Sequence, residues 1–121
     1  MSGIFIKPTV AEQFRAFLAR GRVLFFSAPC GCGKTALAEE LLKGKAVYRL
    51  FAGEADFAFP QEEGWDILLI EDFQRLQEDA EQKALCEWIR NYPEKRFVLL
   101  SRGTPPGYLM AFQYAGLMQV L

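Results

Sequence analysis

Eight residues, Ala28-Pro29-Cys30-Gly31-Cys32-Gly33-Lys34-Thr35, constrain this chain more than any other segment. They follow a continuous apolar run, Val23-Leu24-Phe25-Phe26-Ser27, and precede a stretch in which Leu37, Ala38, Leu41 and Leu42 recur at helical spacing. A short strand that is apolar throughout belongs in a parallel sheet covered on both faces. The loop fits the pattern [Ala/Gly]-x-x-x-x-Gly-Lys-Thr, with Ala28 where glycine is commoner. At average residue frequencies about one chain in a hundred of this length matches by chance. Here the strand-to-helix setting that the pattern requires is also present.

Each position of the loop has a physical reason. Gly31 and Gly33 let backbone N–H groups turn inward without Cβ clashes and form a concave anion nest. A helix beginning near Gly33 directs its positive dipole end at the same point. Lys34 is suited to bridge the β- and γ-phosphates of a nucleotide, and the Thr35 hydroxyl to ligate Mg²⁺. The candidate nucleotide-binding residues are therefore Ala28, Pro29, Cys30, Gly31, Cys32, Gly33, Lys34 and Thr35. The bland alternative is an ordinary glycine-rich turn between a strand and a helix.

The remaining sequence alternates strands with helices. Thr9-Val10-Ala11-Glu12 has the capping-box pattern, so a first helix is expected from Thr9, ending at Gly21, with Val10, Phe14, Phe17 and Leu18 on its buried face. After the loop, a helix from about Lys34 to Lys43 is expected, with Gly44 as its C-terminal cap. Residues 46–51 read as a second strand and 52–64 as an acidic loop containing Pro60. Asp66-Ile67-Leu68-Leu69-Ile70-Glu71 is a third strand, and 79–91 a helix carrying Leu85, Trp88, Ile89 and Tyr92 on one stripe before Pro93 stops it. Residues 96–101 form a fourth strand; a turn at 103–107 leads to a short helix ending near Gly116, and 117–121 form a fifth strand. This alternation predicts one α/β domain over residues 1–121 with a parallel sheet covered on both sides. A buried strand at the last residues suggests a fragment of a longer multidomain protein.

A phosphate loop needs a second, metal-side acid at the end of a buried strand. Glu71 and Asp72 follow four apolar residues at the C-terminal edge of the third strand, where ligands bind in such sheets. Glu71 falls at the position of the magnesium-side acid, and Asp72 at that of a water-activating acid. Arg102 directly follows the fourth strand; if that strand lies beside the first, Arg102 points toward the γ-phosphate and can sense it. A strand ending in acids and a solvated arginine starting a turn are the plain alternatives.

Composition excludes several classes. There is no histidine, which removes His-based triads and His-dependent zinc sites. The 14 Lys and Arg balance 15 Asp and Glu, and no local basic cluster occurs, so direct nucleic-acid binding is not expected. No apolar run approaches the roughly 18 residues of a membrane span, and the N-terminal residues do not read as a secretory signal. Three cysteines, two of them inside the loop, argue for a reducing cytoplasm rather than a disulfide framework. Cys30 and Cys32 lack further metal ligands nearby and read as loop filler, with oxidative inactivation as a secondary expectation because they flank Lys34 and a helix N-terminus. Cys86 reads as core.

With these residues placed, the chain resembles the NTPase domain of the STAND signal-transduction ATPases, especially the large LuxR-type transcriptional activators. The resemblance runs through Arg22-Val23-Leu24-Phe25-Phe26-Ser27-Ala28-Pro29 and Gly31-Cys32-Gly33-Lys34-Thr35. It continues in Leu68-Leu69-Ile70-Glu71-Asp72-Phe73, then in Leu100-Ser101-Arg102 followed by Pro105-Pro106. It implies a three-layer P-loop NTPase fold of the ASCE type with sheet order 5-1-4-3-2. It implies ATP or ADP with Mg²⁺ as ligands, Thr35 and Glu71 on the metal, Glu71 and Asp72 as the acidic pair, and Arg102 as sensor. It also implies an ATP-operated, weakly hydrolysing switch that licenses self-association or contact with other domains of a parent chain.

Three departures stand out. Glu71 replaces the usual Asp, the connection between the second and third strands is short, and the lid and winged-helix parts, the sensor repeats and the DNA-binding domain of such proteins are not found in this sequence. An AAA+-like loader or initiator acting on nucleic acid, a degenerate P-loop interaction module and, more weakly, a small-molecule kinase remain alternatives. Tyr108, Leu109, Met110, Phe112 and Tyr114 are expected to expose an apolar face that promotes self-association.

Overall fold

A continuous apolar strand hides which side chains face which way, because successive residues alternate between the two faces of the sheet. The computed structural model, which describes residues 8–27, 34–61 and 64–120, separates them. Strands β1 (Val23–Ser27), β2 (Val47–Phe51), β3 (Ile67–Glu71), β4 (Arg96–Ser101) and β5 (Met118–Val120) form one sheet in the order β2-β3-β4-β1-β5, with every pairing parallel. Read from the other edge this is the 5-1-4-3-2 order implied by the family resemblance. The chain has the α/β, three-layer fold of P-loop NTPases.

One face carries Leu24, Phe26, Ile67, Leu69, Val98 and Leu100, covered by Phe14 and Phe17 of α1 (Pro8–Arg20) and by Ala38 and the following Leu42 of α2 (Lys34–Leu41). The opposite face carries Val23, Phe25, Leu68, Ile70, Phe97 and Leu99. It is covered by Leu85 and Ile89 of α3 (Asp79–Asn91) and by Leu109 and Phe112 around α4 (Met110–Tyr114). These strand residues are nearly or wholly excluded from solvent. Burial of this kind on both faces explains the uninterrupted apolar strands.

Helix boundaries follow local chemistry. The first helix starts at Pro8, one residue before the expected Thr9, in keeping with proline's tolerance in a first turn. The second ends at Leu41 rather than Lys43, and residues 42–44 turn to leave through Gly44 at φ 80°. Helix α3 and strand β4 match their expected limits. The C-terminal end of α3 is held from a distance: the Arg22 guanidinium donates to the carbonyl oxygens of Ile89 and Tyr92, placing a cation where the helix dipole is negative. A 3₁₀ turn at Phe73–Arg75, not expected from the sequence, directly follows the third strand.

The segment between β2 and β3 is irregular, as expected, and its aromatic residues pack on the core while much of the rest is exposed. Phe59 stacks on Trp88 of α3 at 5.2 Å between ring centroids; Trp88 in turn stacks on Trp65 at 5.8 Å and on Tyr92 at 4.6 Å. Lys95 caps the stack from the other side, 4.4 Å from the Trp65 ring. The apolar face expected at 108–114 is largely absent: Leu109 and Phe112 are buried against the sheet, because the 3₁₀ turn at Gly107–Leu109 and α4 rotate them inward. Tyr114, with Leu117 and Val120, remains exposed near the β5 edge.

Removing the indole at the centre of the stack tests this account of the connection. Trp88→Ala is expected to lose about 3 kcal/mol of stability, as for other large aromatic truncations. Urea unfolding measures it, and a loss well under half that size would mean that the stack does not anchor the segment.

Candidate functional site

Parallel pairing of β4 with both β1 and β3 brings three strand ends to one edge of the sheet. Ser27, the last residue of β1, is in register with Ser101, the last of β4; on the other side Ile70 of β3 is in register with Leu99. One residue beyond these strand ends stand Ala28, where the phosphate-loop sequence begins, Arg102, and Asp72. The sequence-derived acids and arginine therefore share this edge, and α2 is the next element along the chain after β1. Ala28, Pro29, Cys30, Gly31, Cys32 and Gly33 lie outside the described residues. Lys34 and Thr35 open helix α2, and their side chains likewise lie outside the description.

The strand ends are tied together by hydroxyls. Ser27 Oγ donates to the carbonyl oxygen of Gly103 at 2.8 Å, and Gly103 N–H donates to Ser101 Oγ at 3.0 Å. The backbone N–H of Arg102 donates to Gln74 Oε1 at 3.1 Å, which joins the 3₁₀ turn after β3 to the turn after β4. The Arg102 residue itself is exposed. Beneath these turns lies a cavity of about 240 Å³ lined by Gln74, Gln77, Gln82, Ser101, Thr104 and Tyr108, among others. It is smaller than the roughly 300–1,000 Å³ of small-molecule pockets.

The two acids sit in different states. Asp72 is half-buried and adopts a left-handed backbone, φ 52° and ψ 44°, unlike any other non-glycine among the described residues. Aspartate tolerates this region better than most residues, and non-glycine residues held there cluster at functional turns. Glu71 is buried, with 6% of its surface exposed, and Arg49 Nε of β2 donates to its Oε2. Arg49 Nη1 also meets Glu39 Oε1 of α2 at 2.8 Å. The Arg49 pKa is raised by its hydrogen bond to Glu71, against the lowering effect of burial.

The family resemblance puts Glu71 beside a phosphate-bound magnesium ion, and the structure shows one neighbour of its carboxylate, Arg49. Arg49 engages one oxygen of that buried carboxylate, Oε2. Arg49, Glu39 and Gln74 were missed by motif reading. Arg49 stood out only as a charged residue inside the run Val47-Tyr48-Arg49-Leu50-Phe51, and the run does not say what it pairs with.

On the far side of the sheet, Cys86 is half-buried against the core, and burial raises its thiol pKa above the ordinary value. The neighbouring Tyr108 hydroxyl is buried with no hydrogen-bond partner among the described residues. Burial, then the charge of Cys86, raises its pKa above the usual phenol range.

The left-handed turn at Asp72 generates a stability prediction. Asp72→Asn is expected to be neutral within about 0.5 kcal/mol, whereas Asp72→Val is expected to lose about 1–2 kcal/mol because a β-branched side chain crowds the left-handed backbone. Chemical denaturation distinguishes them, and equal stability of the two variants would contradict the observed backbone.

No family model and no curated protein matches the chain. Among solved structures it is similar to the RuvB Holliday junction branch migration motor of Thermotoga maritima, at 22% identity and a TM-score of 0.55. That match covers 97% of this chain and 46% of that one. The chain thus spans less than half the length of this structural relative. The likeness is one of fold.

Proposed function

We propose that this domain is an ATP-binding switch with at most slow hydrolysis, belonging to a larger signal-transduction ATPase of the STAND type. The observation that carries it is the convergence, at one sheet edge, of the β1 end that leads into Ala28–Thr35, the Glu71-Asp72 pair and Arg102. In this reading the backbone of residues 28–33 and the Lys34 ammonium hold the β- and γ-phosphates. Thr35 supplies the hydroxyl that a phosphate-bound magnesium ion would take. Asp72 orients the attacking water, and Arg102 senses the γ-phosphate. Bound Mg²⁺ supplies charge neutralisation on the phosphates; the chain's own residues position and distinguish the nucleotide.

Slow turnover follows from the chain's own inventory. A complete site of this kind takes an arginine from a neighbour or a lid. Arg102 reports the third phosphate from its position after β4, and Gln74 transmits that contact to the turn carrying Asp72. The partners that suit this reading are nucleotide, a second copy and further domains of a parent chain in the cytoplasm. No helix among the described residues is long and apolar enough to cross a membrane.

A second reading, an ATPase acting on nucleic acid, draws on the likeness to a Holliday junction motor. The balanced charge of the chain speaks against a direct phosphate-backbone interface. Binding of single-stranded or junction DNA that weakens steeply with salt would favour it.

Two substitutions separate binding from sensing. Calorimetric titration of ATP and ADP is expected to show binding that Lys34→Ala weakens by at least about tenfold, or roughly 1.4 kcal/mol. Arg102→Ala is expected to bring the ATP and ADP affinities together while leaving ADP binding intact. Absence of nucleotide binding by the unsubstituted chain would sink the proposal; equal losses for both nucleotides in Arg102→Ala would remove the sensing role.

A further inference from the structure

Strand β2 is one edge of the sheet, and in a parallel edge strand alternate residues turn their backbone groups outward. The Ile67 N–H donates to the Ala46 carbonyl oxygen at 3.1 Å, and the Ala52 N–H to that of Glu71 at 2.9 Å. With the register Val47↔Ile67 to Phe51↔Glu71, these bonds set the alternation: residues 46, 48, 50 and 52 bond toward β3. The N–H and C=O groups of Val47, Arg49 and Phe51 therefore point away from the sheet, and no described residue bonds to them.

The segment after β2 does not close this edge. It leaves a groove of about 430 Å³, with Arg49, Leu50 and Phe51 on one wall and Glu54, Asp56 and Phe57 on the other. The second wall is fixed: the Phe57 N–H donates to the Glu54 carbonyl oxygen at 3.1 Å, and Phe57 packs edge-on against Phe59, which stacks on Trp88. Phe51 is 44% exposed at the groove. Glu54 and Asp56 are exposed and meet no cation among the described residues. Arg49, the cation of the groove, is already engaged by Glu71 and by Glu39 of α2. The chain as a whole is close to neutral, so the acidic character of this edge is local.

We propose that the groove along β2 receives an extended peptide bearing lysine or arginine, which adds a strand to the sheet at Val47, Arg49 and Phe51. Main-chain hydrogen bonds to the outward groups supply affinity, and the groove walls read alternate side chains. A basic side chain lays its stem on the Phe51 and Phe57 rings and brings its charge to Glu54 and Asp56. An acidic peptide meets like charge at both positions and is rejected. A second copy of this chain presents the same acid-rich edge and lacks the complementarity. This surface makes no use of the nucleotide-binding reading and stands or falls without it.

The probe is a capped six-residue peptide alternating lysine and valine. It is compared with its glutamate–valine counterpart and with two versions N-methylated at one or the other set of alternate residues. Hydrogen exchange and titration followed by amide chemical shifts read the outcome. On binding, the amides of Val47, Arg49 and Phe51 are expected to slow by at least about tenfold, while those of Tyr48 and Leu50, already bonded to β3, change little. One N-methylated version is expected to lose at least about tenfold in affinity and the other to keep it, because only one edge of the peptide faces β2. The glutamate–valine peptide is expected not to bind, and Glu54→Lys/Asp56→Lys to weaken the lysine–valine peptide by at least about fivefold.

No binding of the lysine–valine peptide at millimolar concentration would overturn the inference. Binding that both N-methylated versions share equally would do the same, since it would rest on charge alone. Equal binding of the glutamate–valine peptide would remove the basic partner. Slowed exchange at Val47, Arg49 and Phe51 that rises with protein concentration in the absence of peptide would assign the edge to a second copy instead.

Discussion

The pairing of β4 between β1 and β3 is the constraint on which the rest of this structure depends. Without that insertion the strand after the helix 79–91 would extend the sheet outward, and Arg102 would lie far from the start of the phosphate loop. With it, Ser27 and Ser101 end in register, and their hydroxyls, through Gly103, bind the two exits together. Parallel strands expose their C-terminal ends at a common edge, and a ligand is recognised there because side chains from separate strands converge on it. The large apolar burial on both faces, from Phe14 and Phe17 on one side and Leu85 and Ile89 on the other, holds that edge rigid.

The second organising interaction is electrostatic. A carboxylate at 6% exposure is tolerable only when paired, and Arg49 of the neighbouring strand is one partner. The same guanidinium reaches α2, so the acid at the end of β3 and the helix after the loop are mechanically joined. Asp72, by contrast, sits outside this pairing, in a backbone conformation that aims the chain into the 3₁₀ turn carrying Gln74. Two adjacent acids thus have different surroundings: one is buried and ion-paired, the other half-buried at the strand edge.

Much of the fold was legible because apolar runs and their punctuation are local signals. Helix 79–91 and strand 96–101 were readable to the residue, since Pro93 and the Phe97-Val98-Leu99-Leu100 run mark their limits. What the sequence hid was pairing at a distance. Phe57 and Phe59 looked like parts of an acidic loop, and Trp65 lay just beyond it, yet Phe59 and Trp65 stack on Trp88, 29 and 23 residues later in the chain. Leu109 and Phe112 looked exposed because a five-residue helix has too few turns to display a periodic face. Arg49 lies within the run 46–51 that read as a strand. Its partner is named only by the register Phe51↔Glu71, which no local pattern encodes.

The central claim is that the sheet edge formed by residues 27, 71–72 and 101–103, together with the start of α2, receives a nucleotide. Amide chemical-shift mapping of the isotopically labelled chain during ADP titration tests it most directly. The account predicts saturable shifts concentrated at Ser27, at the first turn of α2, at Glu71 and Asp72, and from Ser101 to Gly103, with α3 and the β5 edge quiet. Shifts centred on the aromatic stack around Trp88, or a spectrum indifferent to nucleotide, would contradict it.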